Sequence, residues 1–167
     1  VAKKAILKES EEIEGKSVEG YDFNSGVDWS ELINSFETTG FQATHLSKAM
    51  DQIRRDEYKR VSGKERSYIK SQRYTLLSHW GNLTMDGKQS LNKLLAANKR
   101  LHTAYILKEE FSQLWDYNSE TWARKFFDNW KQQLKWQRLK PFEEFAIMIE
   151  KHWDGIESYC HAENKVK

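Results

Sequence analysis

One proline, Pro141, and eight glycines are all that 167 residues hold of the two strongest helix breakers. A many-turned β architecture needs such residues at its corners, so their scarcity favours long uninterrupted helices. The single cysteine, Cys160, excludes an internal disulfide. No apolar run reaches the roughly twenty residues of a membrane-crossing helix, and nothing reads as a secretory leader. The expectation is a cytoplasmic chain with no membrane partner.

Signatures of catalysis are missing too. There is no phosphate-cradling glycine loop, no nucleophile elbow and no deaminase-type zinc motif. Five histidines (His45, His79, His102, His152, His161) occur without any CxxC, HxxxH or HExxH pairing, and neighbouring Cys160 and His161 diverge at a helix end. No metal ligand is nominated. The run Glu9, Glu11, Glu12 and Glu14 has nothing nearby to bury it and reads as solvated. The residues themselves therefore offer no catalytic candidate.

What is abundant is aromatic surface: seven Trp, seven Tyr and eight Phe, too many large side chains for a disordered tail. A chain of this length can hide about two-thirds of its unfolded surface in one core. Trp115, Trp122, Trp130, Trp136 and Trp153 could stack on unpaired bases, but helical spacing makes core the commoner meaning.

The net charge of +2 conceals an asymmetry. Val1 to Thr44 carries four lysines against nine acids, whereas Arg54 to Arg73 carries eight cations against three. The second stretch interleaves Tyr58, Tyr68 and Tyr74 with positive charge. Clustered cations attract a phosphate backbone through counterion release, which nominates Arg54, Arg55, Lys59, Arg60, Arg66, Lys70 and Arg73 as DNA-binding residues. A solvated helix face is the competing meaning of such a run.

Periodicity divides the chain at Thr44. Residues 1–43 form an acidic, weakly structured segment, within which Asp28 to Phe36 can make two helical turns. Residues 44–167 form a helical domain. Thr44 is expected to cap a helix to about Val61 that buries Leu46, Ala49, Met50 and Ile53; Ser62 and Gly63 break it, and a shorter helix follows from Glu65 to Leu77. Trp80 to Asn82 reads as its exit loop. Thr84 caps a helix from Met85 to Ala97, and after Asn98 another runs to Trp115. Ser119 caps a helix with Trp122, Phe126, Trp130 and Leu134 in its seam. Pro141 opens a last helix with Phe142, Phe145, Ile149, Trp153, Ile156 and Cys160 on one stripe. Short links make neighbours antiparallel, so the fold class is all-α, a compact antiparallel helical bundle.

Read as strings, HLSKAMDQIRRDEYKR (45–60), RYTLLSHWGNLT (73–84), AYILKEEFSQLWDY (104–117), WARKFFDNW (122–130) and HWDGIESYCHAENKV (152–166) occur in an order and spacing that closely resemble the DDE transposases of the bacterial ISL-three insertion-sequence family. The resemblance runs from Phe41 or His45 to the end, and LKEEF…LWDY and YCxxENKV are its most specific pieces. It implies a helical section set in or after an RNase H-like core whose three carboxylates hold two Mg²⁺ ions for strand cleavage and transfer.

The same resemblance implies three departures. Thr39 stands about where the family has its second Asp ligand; the first Asp has no counterpart, Asp22 and Asp28 being unaligned acids; and the third carboxylate, in a V-E-G motif, belongs just after Lys167. A hydroxyl is a poor replacement for a carboxylate on a hard divalent ion. The expectation is a transposase-derived, truncated chain that retains DNA binding without cleavage activity, with no cofactor of its own although the family core uses Mg. The alternative is a helical interaction module whose partner is a full-length transposase or a second copy of itself.

Overall fold

Helical structure reaches further towards the N-terminus than the sequence suggests. The computed structural model describes residues 29–162, with side chains described over 42–160. Its first helix, α1, spans Trp29–Arg60, so the boundary expected at 43/44 lies inside a helix and Thr44 is an interior residue, not an N-cap. α1 lies against the later helices Lys99–Phe111, Lys140–Lys151 and Trp153–Ala162, and helix length in a folded chain follows packing more than local propensity. The weakly structured stretch expected upstream lies, from residue 1 to 28, outside the described residues.

The chain leaves α1 through Val61 and Ser62 and re-enters helix at Gly63, whose φ of 59° is left-handed and suits a residue without Cβ. The expected Glu65–Leu77 helix is two pieces, α2 (Gly63–Ser71) and α3 (Arg73–Leu77). At their junction the Ser71 hydroxyl donates to the Tyr68 carbonyl at 2.8 Å, a local bond that competes with the helical ladder. Trp80–Asn82 is a 3₁₀ turn rather than an open loop, closed by the Gly81 N–H donating to His79 Nδ1 at 3.1 Å.

Sequence and structure agree on the next elements. Thr84 caps α4 (Met85–Ala97), its hydroxyl accepting from the Gly87 N–H at 3.1 Å. Asn98 caps α5 (Lys99–Phe111) through the Leu101 N–H at 2.9 Å, and a 3₁₀ turn, Ser112–Asp116, finishes that run. α6 is Glu120–Leu134, although Ser119 makes no side-chain cap bond. Pro141 sits in the first turn of α7 (Lys140–Lys151), and α8 is Trp153–Ala162. A break at His152 divides the last expected helix in two, yet all six residues of its stripe, Phe142 to Cys160, are buried. Among the described residues there are eight α-helices and no strand, and α4, α5 and α6 each pack on the next.

The core is aromatic. Trp130 is fully enclosed, donates its indole N–H to the Leu107 carbonyl at 2.8 Å, and meets Phe111 edge-on at 4.9 Å. Phe111 repeats that geometry with Phe145, and Phe127 stacks on Trp153 at 5.4 Å. Each such ring pair adds about 1 kcal/mol beyond its area. The α6 seam is Ala123, Phe127, Trp130 and Leu134, not the expected Trp122, Phe126, Trp130 and Leu134. Each four-residue step overshoots a helical turn by about 40°, so a seam drawn only in fours drifts off the buried face; alternating steps of four and three hold it.

Candidate nucleic-acid interface

Two buried carboxylates organise the charged half of the molecule. Asp51 lies three and four residues before Arg54 and Arg55, the spacing that stacks side chains on one helix face. It accepts from Arg54 Nε at 2.8 Å and Arg55 Nε at 3.0 Å, and Arg73 of α3 closes to 3.3 Å. Burial works against ionisation of Asp51, but the Arg54 hydrogen bond and the charges of Arg54, Arg73 and Arg55 outweigh it and hold the carboxyl below its ordinary range. One anion thus meets three guanidinium groups.

Glu57, nearly two turns further on, accepts from Arg60 Nη1 at 3.0 Å and from the Asn98 amide at 3.2 Å, and forms an ion pair with the Arg100 guanidinium, whose Nε lies 3.1 Å away. It ties α1 to the start of α5. The remaining acids of the basic stretch, Asp56 and Glu65, are outside this knot; Asp56 accepts from Gln52 at 2.9 Å.

Between α1 and α3 lies an open groove of about 740 Å³, bordered by Ser47, Lys48, Asp51, Gln52, Arg55 and Arg73. Lys48, Arg55 and Arg73 are exposed along it, while its one carboxylate is already engaged. Its surface charge is therefore positive, and its free donors suit phosphate oxygens.

The seven nominated cations are placed unequally. Arg55 and Arg73 border the groove. Arg54 is 8% exposed and held by Asp51, so it belongs to the scaffold. Arg60 is exposed but pairs with Glu57, and the Arg66 guanidinium rests over the Tyr58 ring at 4.3 Å. Lys59 and Lys70 are exposed on α1 and α2. Sequence reasoning missed Lys48, which stands outside the dense run. Its signal is its position seven residues before Arg55, two turns away on the same face.

A second polar cluster fixes the α3–α4 connection. Buried Lys108 donates to the Ser78 carbonyl at 2.6 Å and to Glu109 at 2.8 Å, while Glu109 also accepts from the Trp80 N–H at 3.1 Å. Burial pushes the Lys108 ammonium below its ordinary range, with Glu109 opposing, and raises the Tyr105 phenol. Every group here faces a protein partner, which marks a structural latch. Among the described residues no three His, Cys, Asp or Glu side chains come together to hold a metal ion. Among those residues, too, no helix is long and apolar enough to cross a membrane.

An all-α domain with a cationic groove beside an aromatic core is thus the class of molecule that the structure defines. Residues 43–165 match the family model DDE_Tnp_ISL3, described as transposase, and the chain belongs to this ISL3 transposase family. The transposase for insertion sequence element IS1001 of Bordetella parapertussis is 31% identical over 120 residues, covering 71% of this chain and 30% of that protein. A different likeness is local. The deoxyhypusine synthase of Arabidopsis thaliana is 54% identical over 50 residues, 29% of this chain and 14% of that enzyme. The probable deoxyhypusine synthase of Thermococcus kodakarensis is 43% identical over 63 residues, 38% of this chain and 19% of that enzyme.

Only 42 residues precede the transposase-matched span, so the synthase-like stretch must overlap it. The sequence reading did not anticipate this second likeness. The chain spans less than a third of the length of these curated relatives. No solved structure matches it.

Proposed function

We propose that this transposase-family chain contacts the DNA backbone through the groove between α1 and α3, with Arg55, Arg73 and Lys48 at its centre and Lys59, Arg60, Arg66 and Lys70 extending the positive surface. The observation that carries this is Asp51, the single carboxylate among the described groove residues, which three guanidinium groups already neutralise while Arg55 and Arg73 remain exposed. Such a surface binds duplex without reading sequence, in a salt-dependent way. The role belongs in the cytoplasm, where the DNA is.

Titrating duplex DNA at two salt concentrations tests it. Arg55→Ala with Arg73→Ala is expected to weaken binding and to flatten the slope of log affinity against log salt by about two. Binding that is absent, or indifferent to salt, overturns the reading.

The chain, as a portion of a transposase, is also proposed to lack strand-cleaving chemistry of its own. Supporting this, Thr39 stands where the family resemblance calls for a carboxylate ligand. Incubation with supercoiled DNA and Mg²⁺ is expected to give no nicks. Nicking that Asp22→Ala or Asp28→Ala abolishes would refute it.

A further inference from the structure

Among the described residues three tryptophans are exposed, Trp80, Trp122 and Trp136, and the last two lie on α6 and just after it. Trp122 is 58% and Trp136 79% exposed, although they belong to the same α6 region whose Trp130 is sealed. Trp122 lies on the outward stripe of α6 and Trp136 in the turn just after it, with exposed Lys125, Asn129 and Gln132 between them. The residues of that stripe include no carboxylate; Glu110 of α5, accepting from Gln133 at 3.1 Å, and Asp128 of α6, paired with Arg124 and Lys131, border it. A lysine accompanies each indole, Lys125 at 5.1 Å from the Trp122 ring and Lys135 at 5.4 Å from the Trp136 ring.

The turn that carries Trp136 is basic and fixed. Lys135-Trp136-Gln137-Arg138-Leu139-Lys140 contains three cations and no acid. Leu139, 1% exposed, anchors it in the core, and Arg138 adopts a left-handed φ of 52°, an uncommon conformation for a residue with a Cβ. Arg100 holds that conformation by donating from Nη2 to the Arg138 carbonyl at 2.8 Å. Strained backbone persists where neighbouring structure enforces it, and it clusters at ligand sites. Here it holds a large apolar ring in water among cations.

We infer that the outer stripe of α6 and the turn after it bind an unpaired nucleic-acid strand, Trp122 and Trp136 stacking on bases while Lys125, Lys135 and Arg138 meet phosphates. Stacking needs exposed aromatic faces and backbone tracking needs positive charge, and both occur together here. The amides of Asn129 and Gln132 supply donors and acceptors for base edges between the two platforms. An apolar protein face would take the indoles equally well but would gain nothing from the cations beside them, whereas a single strand uses both along its whole length. This surface is separate from the groove: it is built on α6, whereas the groove is built on α1 and α3, and neither inference needs the other.

The test is fluorescence anisotropy of a labelled oligothymidine of about twelve nucleotides, within the usual single-strand site size. Trp122→Ala with Trp136→Ala is expected to weaken binding about thirtyfold or more, with an unchanged circular-dichroism melt because both rings are exposed. Trp136→Phe, which keeps a stacking face, should recover most of the affinity lost in Trp136→Ala. Arg55→Ala with Arg73→Ala, aimed at the groove, should alter duplex binding and leave this signal nearly intact. Absence of single-strand binding, or binding that the double tryptophan variant leaves unchanged, overturns the inference. So does light scattering that finds a dimer dissolved by the same variant, which would assign the stripe to a second copy of the chain.

Discussion

The region of α1, α2 and α3 and the region of α5 to α8 are held together by different means. In the first, buried carboxylates sit among guanidinium groups: Asp51 with Arg54, Arg55 and Arg73, and Glu57 with Arg60, Arg100 and Asn98. In the second, rings pack on rings around Trp130. A buried ion pair offsets much of its own desolvation cost but contributes little net stability, whereas a buried ring contributes through area and contact. The charged half therefore presents its cations around buried carboxylates, whereas the aromatic half holds the fold and carries its exposed cations on the outer stripe of α6 and the turn after it.

Removing the central ring should have the largest effect. Trp130→Ala is expected to lower unfolding free energy by about 4 kcal/mol in urea denaturation; a loss under about 1 kcal/mol would mean that the rings are not the main support. Asp51→Ala comes next, at about 3 kcal/mol, because it strands the buried Arg54 charge. Adding Arg54→Met to it should restore most of that loss. No recovery in the double variant would show that Asp51 contributes through something besides its charge.

A pH series separates the regions further. The folded-state carboxyl of Asp51 is held below the ordinary 3.8, so its contribution is complete above that value and disappears as pH falls through the lower folded-state value. Melting temperature should fall with acid in the wild type and in Trp130→Ala alike, and fall less in Asp51→Asn. An equal decline in all three would assign the acid sensitivity elsewhere. The smallest expected effect is that of Trp122→Ala, within about 0.5 kcal/mol of wild type by the same urea measurement.

The contrast also explains what was legible in the sequence. Helix starts marked by Thr84, Asn98 and Pro141 were readable because a cap or a fixed φ is a local fact. The stripe from Phe142 to Cys160 was readable because a core face repeats. The start of α1 was not, because Gly40 and the lack of a sustained period before Thr44 give no local mark of a helix there, and neither was the break at Gln72. At the groove, composition located the cations but could not separate Arg54, sealed by Asp51, from Arg55 one residue later. Nor could spacing tell Trp122 from Trp130, since only the drift between four-residue steps and the true turn carries one ring outward.

The left-handed residue at Gly63 divides the positive surface between two rods, Lys59 and Arg60 on one side and Lys64, Arg66 and Lys70 on the other. A Cβ at that position would meet no atom within 4 Å, so its cost would come from the backbone alone. The second rod is held at its bearing by Ile69, fully buried, and by the Tyr68 hydroxyl, which donates to the Ser90 carbonyl at 2.7 Å. The spacing of charge across this surface is thus set by one turn and two anchors, which together fix the phosphates that both rods reach at once.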